Sequence, residues 1–246
     1  MSKIGIITGA SSGIGRASAV ALSAAGWKLI LTARRLDQLK ETAALCANET
    51  VIVAGDITDE PFMKGVFEVA TKHFGRLDLL FNNAGISPKK IGIEDLTLAD
   101  FQKVIDVNLI GSFIAAREAI KIFKSQTPQG GRIINNGSLS AHVPRPNSSP
   151  YVCSKHAITG LTKSIALEGR PFSITCTQID IGNAATDITQ RLEVGAEQAN
   201  GTILGEPTMD VKHVGSTIVH IASMPPDVAM LEVNIMAARM PYVGRG

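Results

Sequence analysis

Ser138, Tyr151 and Lys155 have the types and the spacing for proton chemistry. Tyr151 and Lys155 stand one helical turn apart in Tyr151-Val152-Cys153-Ser154-Lys155, so a helix there puts both on one face. A free phenol titrates near pH ~10, too high for ready exchange at neutrality. An ammonium beside it favours the phenolate, which makes the pair a proton-transfer unit. Ser138, upstream, supplies a hydroxyl to orient a substrate oxygen in front of the tyrosine. A tyrosine and a lysine also share a surface helix face by chance, so the pair gains meaning only from the elements that position it.

Those elements alternate. Lys3 to Thr8 reads as a short buried strand, and Gly9-Ala10-Ser11-Ser12-Gly13-Ile14-Gly15 follows it into a helix over Arg16 to Ala25. The first glycine of such a run permits a tight turn. The second lets backbone approach a phosphate, and the third lets helix pack on strand. Amides at the helix start then face a pyrophosphate. Lys28 to Thr32 is a second strand. Nucleotide folds that take NAD usually carry an acid at its end, whereas this chain has Ala33-Arg34-Arg35. A guanidinium binds a 2′-phosphate with charge-assisted hydrogen bonds, so Arg34 and Arg35 point to NADP(H).

Thr50 to Ala54 is the third strand, followed by Gly55-Asp56-Ile57. Asp56 suits either the adenine amino group or an ordinary turn. Glu60 to Phe74 is an amphipathic helix, and Arg76 to Phe81 is a strand ending in Asn82-Asn83-Ala84-Gly85. Thr97 to Ser125 reads as one long helix with Asn108 set among Val107, Leu109 and Ile110, where an amide faces either core or cleft. Gly131 to Asn136 is the fifth strand, with Ser138 just past its end. Val143 to Ser149 is a loop over the site, Tyr151 to Glu168 a helix, and Phe172 to Ile179 the sixth strand. Alternation of this kind predicts a single-domain α/β fold, a doubly wound parallel sheet of the Rossmann type, with ligands at the carboxyl ends of the strands. Gly9, Arg34, Asp56, Asn83 and Ser138 all follow strands, so they gather on one edge.

Composition narrows the class. The 246 residues can bury a large core. A net charge of +2, without charge runs, implies neither nucleic acid nor an anionic membrane as partner, and 4% aromatics argue against base stacking. Cys46, Cys153 and Cys176 lack metal-ligand spacing and fit reduced thiols, so no metal is expected. The start of the chain lacks a signal-peptide layout and no apolar run would span a bilayer, so the expectation is a cytoplasmic protein.

Taken together, Thr8-Gly9-x-x-x-Gly13-Ile14-Gly15, Asn82-Asn83-Ala84-Gly85, Asn108, Ser138 and Tyr151-x-x-x-Lys155 make the chain resemble the short-chain dehydrogenases/reductases over almost its whole length. The resemblance implies reversible hydride transfer between NADP(H) and a carbonyl/alcohol pair. Tyr151 is then the general acid or base, and Lys155 lowers its pKa and holds the nicotinamide ribose. Ser138 binds the substrate oxygen, and Asn108 holds a water of a proton relay. The implied cofactor set is Gly9, Ser11, Ser12, Gly13, Ile14, Gly15, Arg34, Arg35, Asp56, Ile57, Asn83, Ala84, Gly85, Tyr151, Lys155, Gly182 and Thr186.

One departure stands out. The family's Pro-Gly pair after the sixth strand is Ile181-Gly182 here; proline restricts φ and removes a donor, so the expectation is a looser loop or a shifted carboxamide site. Asp187 to Asn200 is expected to form a substrate-capping helix, Asp210 to Met224 a further helix and Val228 to Met236 the last strand. The resemblance also suggests a homo-oligomer, tetramer or dimer. Ile86 to Ile93, His142 to Pro146 and Ile188 to Leu192 are the expected substrate walls. In them His142 is read as a loop residue without a partner, and Arg145 and Arg191 as solvent-facing rather than as partners of a substrate carboxylate. The competing readings are a catalytically silent NADP(H)-binding regulator of the same fold and a methyltransferase with a similar sheet. The second has no use for the Tyr-Lys pair.

Overall fold

Side chains alternate across the apolar runs, so each strand feeds two cores. Ile6, Ile30, Leu80 and Ile133 turn to one face of the sheet. Ile7, Leu29, Leu31, Leu79, Phe81 and Ile134 turn to the other. The strands are β1 (Ile4–Thr8), β2 (Lys28–Ala33), β3 (Thr50–Ala54), β4 (Leu79–Asn82), β5 (Gly131–Asn136) and β6 (Ile174–Gly182). The structure, a computed structural model, describes residues 3–186, 195–198 and 200–243.

The helices are α1 (Gly13–Ala24), α2 (Leu36–Ala44), α3 (Glu60–Val69), α4 (Leu98–Ile105), α5 (Gly111–Ser125), α6 (Ser149–Gly169) and α7 (Val211–Ser223). Leu22, Leu39, Val214 and Ile218 of α1, α2 and α7 cover one face. Met63, Phe67, Ile114, Phe123 and Ile165 of α3, α5 and α6 cover the other. Two short strands, β7 (Ala196–Glu197) and β8 (Ile203–Leu204), form a small antiparallel ribbon, and β9 (Glu232–Met236) completes the main sheet.

All pairings in the main sheet are parallel, in the order β3-β2-β1-β4-β5-β6-β9. The chain winds outward one way from β1 and the other way from β4. The crevice beyond the carboxyl ends of these two strands is therefore the topological switch point, where such sheets bind ligands.

The helical stretch read over Thr97 to Ser125 is continuous and carries a π-helical turn at Asp106–Ile110, and the helix read to Phe74 ends in another at Ala70–Phe74. Periodicity does not register the single-residue offset of a π turn. The run Asp180-Ile181-Gly182 is paired strand, with Ile181 opposite Ile235 and Gly182 opposite Met236, not a loosened loop. Most of the expected capping helix lies outside the described residues; its end holds β7. Among the described residues no helix is long and apolar enough to cross a membrane.

Candidate active site

The turn after β1 is set by two glycines. Gly9 has φ +67, and a Cβ there would lie 2.8 Å from the Ala84 Cα. A Cβ on Gly15 would overlap the Gly9 carbonyl oxygen, so helix and strand approach here as only glycine allows. Asn83 locks the turn from β4, donating to Thr8 O at 2.9 Å and to Gly9 O at 3.2 Å, while its backbone N–H donates to the Thr8 hydroxyl at 3.0 Å.

A cleft of about 410 Å³ opens beside this turn. It is lined by Gly9, Ser11, Ser12, Gly13, Ile14, Gly15, Arg34, Arg35, Asp56, Ile57, Asn83, Ala84, Gly85, Tyr151, Lys155 and Thr186, which are nearly all the residues that the sequence picked out. The two arginines differ. Arg35 donates to the Ser11 and Ser12 hydroxyls at 3.1 and 2.7 Å, whereas Arg34 faces the cleft near Asp56. The Asp56 carboxyl is held below its ordinary range, chiefly by the Thr58 backbone N–H, with the Thr58 hydroxyl and the Arg34 charge assisting burial's opponents.

Pro150 stands in the first turn of α6, where a missing N–H costs nothing. From this helix Lys155 enters the interior, 5% exposed. Its ammonium donates to the Asn136 carbonyl at 2.6 Å and lies 5.4 Å from the centre of the Tyr151 ring. The Asn136 amide in turn donates to Asn83 at 3.0 Å. A continuous set of contacts thus joins the glycine turn to the lysine.

Three predicted residues are not among those that line this cleft. Asn108 is 1% exposed; its carbonyl oxygen accepts the Ile86 N–H at 2.8 Å, and its NH2 donates to Ile86 O at 3.1 Å and the Ser154 hydroxyl at 3.2 Å. The amide braces the strand-end loop against α6. Ser138 caps the short turn Leu139–Ala141, its hydroxyl accepting the Ser140 N–H at 3.1 Å. Gly182 packs against Leu139 and Met240, leaving Ile181, Asn183 and Ala184 at the cleft.

The loop between β5 and α6 corrects two expectations. His142 has a partner: its Nε2 lies 2.8 Å from an oxygen of Asp180, which is fully buried. Arg145 is not solvent-facing. Its Nη1 and Nη2 donate to the Glu206 carboxylate at 2.9 and 2.6 Å, and Nη2 also reaches Asn183 at 3.3 Å. Burial pushes the Glu206 carboxyl up, but hydrogen bonds from Arg145, Gln198 and Asn183 outweigh it and hold it at about 2. These partners come from segments far apart in sequence, so no local pattern revealed them. Arg191 lies outside the described residues.

The family model for short chain dehydrogenases matches residues 3–196. The chain belongs to the short-chain dehydrogenase family. It is 30% identical over 246 residues to sulfoacetaldehyde reductase 2 of Chromohalobacter salexigens, covering 98% of this chain and 97% of that protein. It is 34% identical over 194 residues to a 3β-hydroxysteroid dehydrogenase of Mediterraneibacter gnavus, covering 77% and 68%. Among solved structures, levodione reductase superposes with a TM-score of 0.86 at 28% identity, covering 95% of this chain and 96% of that one. As a short-chain dehydrogenase the chain is an oxidoreductase, and its cleft at the switch point has the shape that a dinucleotide needs: positive-φ glycines where side chains would intrude, and two guanidiniums at the β2 end.

Proposed function

We propose that the protein is an NADP(H)-dependent oxidoreductase that interconverts a carbonyl and an alcohol, with Tyr151 as the proton carrier. The observation that carries this reading is one cleft holding the glycine turn, Arg34, Arg35, Tyr151 and Lys155 together. Gly9 to Gly15 offer backbone amides to the pyrophosphate. Arg34 and Arg35 would hold the 2′-phosphate, Asp56 and Ile57 would border the adenine, and Lys155 and Thr186 would hold the nicotinamide end. The bound cofactor supplies hydride to the carbonyl carbon in one direction and accepts it in the other.

Tyr151 donates its phenolic proton to the carbonyl oxygen during reduction and takes it back during oxidation. The Lys155 ammonium, held beside the ring by the Asn136 carbonyl, stabilises negative charge on the phenolic oxygen. Ser138 donates a hydrogen bond to the substrate oxygen; its Oγ already accepts the Ser140 N–H, which leaves its proton for that purpose. Asn108 contributes through its brace on Ile86 and Ser154, which keeps α6 in register with the loop beyond β4.

The test is turnover of sulfoacetaldehyde, levodione and a 3-oxosteroid with NADPH and with NADH, beside direct titration of both cofactors. Tyr151→Phe is expected to lower the rate by about 10³, within the range that positioned acid–base groups contribute, with NADPH affinity within twofold. A variant that keeps most of the rate would remove Tyr151 from the mechanism, and failure of either cofactor to bind would remove the reading itself.

A further inference from the structure

The place of the family's Pro-Gly pair is preceded here by an aspartate, and the structure gives that aspartate a use. Asp180, near the end of β6, is fully buried. One of its oxygens accepts the Ser138 backbone N–H at 2.7 Å, and the other meets His142 Nε2 at 2.8 Å. The Gln178 amide donates to both oxygens, at 2.8 and 3.0 Å. Ser138 and His142 are the two ends of one tight turn, closed internally by the Ala141 N–H on Ser138 O at 2.8 Å and the His142 N–H on Leu139 O at 3.0 Å. A single carboxylate therefore clasps both ends of the turn that carries the serine hydroxyl. The turn rests against α6, the helix of Tyr151 and Lys155.

The chain is shaped around this clasp. A Cβ on Gly137 would overlap the Asp180 oxygen that binds Ser138, and a Cβ on Gly182 would overlap the Leu139 side chain. Both glycines make room, one for the carboxylate and one for the turn. Burying a carboxylate is costly unless it is fully hydrogen-bonded. This one has four donor contacts, two of them on the turn, so it stands to the Ser138 turn as a preorganising group.

We infer that Asp180 and His142 are positioning residues for the proposed reaction, holding the Ser138 hydroxyl in the geometry that meets the substrate oxygen. The inference rests on the role of Ser138 given above. Neither residue touches substrate in this assignment; each acts through the turn. An oxygen ligand displaced by a fraction of an ångström loses much of its transition-state contact while ground-state binding changes little. The effect therefore falls on kcat more than on KM.

The experiment is steady-state kinetics with NADPH and whichever of sulfoacetaldehyde, levodione or a 3-oxosteroid is turned over. The variants are His142→Ala, His142→Gln, Asp180→Ala and Ser138→Ala, with the Ser138→Ala/His142→Ala double. His142→Ala is expected to lower kcat about tenfold with KM and NADPH affinity within twofold, and Asp180→Ala about a hundredfold. His142→Gln, which keeps a donor at the Nε2 position, restores kcat to within threefold. In the Ser138→Ala background the His142→Ala loss falls below twofold, because the clasp has nothing left to position. A loss of kcat in His142→Ala that is undiminished without the Ser138 hydroxyl, or no loss at all, overturns the inference while leaving the proposed reaction intact. Full activity of Ser138→Ala overturns both the inference and the serine's assigned role. If Asp180→Ala does not fold, the surface variants at His142 decide the question alone.

Discussion

The two halves of the cleft are built by different means. The half at the ends of β1 and β2 is made of backbone: positive-φ glycines, amides at the start of α1, and an asparagine that grips main-chain carbonyls. The half at the ends of β4, β5 and β6 is made of side-chain clasps. Asp180 ties down the Ser138 turn, Glu206 holds Arg145 and Asn183, and Asn108 holds Ile86 beyond β4 and Ser154 of α6. A backbone cradle binds what every dinucleotide shares, its phosphates, and tolerates little change. Side-chain clasps set loops whose shape selects a substrate, and they can be exchanged without unmaking the sheet.

The sharpest way to break this contrast is at Gly15. Gly15→Val places atoms on the Gly9 carbonyl, and NADPH affinity is expected to fall by more than about 10³, roughly 4 kcal/mol, as read by fluorescence titration. Binding within tenfold of the original would show that the cradle is not rigid. Next is Arg34→Asp, which removes a charge-assisted contact and adds repulsion. The ratio of NADPH to NADH affinity should drop about a hundredfold; an unchanged ratio would assign the phosphate to Arg35 on its serine pair.

Asn108→Ala tests the side-chain half. It removes hydrogen bonds to the half-buried Ile86 N–H and carbonyl and to the buried Ser154 hydroxyl, and a urea titration should show a loss of about 2 kcal/mol. A loss below 0.5 kcal/mol, on the order of a surface change, would make the brace incidental.

The smallest expected effect is in acid. The Glu206 carboxyl sits at about 2, below its ordinary value of 4.5. A folded-state value below the unfolded one stabilises above the unfolded value, and that contribution disappears as pH falls from 4.5 towards 2. Glu206→Gln is therefore expected to flatten the acid side of the Tm–pH curve by a few degrees over that window. Parallel curves for the two proteins would place the acid sensitivity elsewhere.

Much of the site was legible where its determinants are local. Gly9, Gly13 and Gly15 announce a turn through missing side chains, and Tyr151 and Lys155 announce a shared face through helical spacing. The strand order and the gathering of motifs on one edge follow from alternation of elements and the handedness of their connections. The π turn that holds the buried Asn108 left no trace, since a one-residue offset disappears in a periodic pattern that continues on both sides.

The sequence by itself determined the family, the parallel sheet, the glycine turn after β1 and the helix face shared by Tyr151 and Lys155, because each depends on neighbours within a few residues or on the simple order of elements. Only the tertiary structure decided what His142, Arg145, Asp180 and Glu206 do. Their partners lie 38 and 61 residues away along the chain, and a carboxylate is an ordinary surface group until the fold buries it against a particular donor.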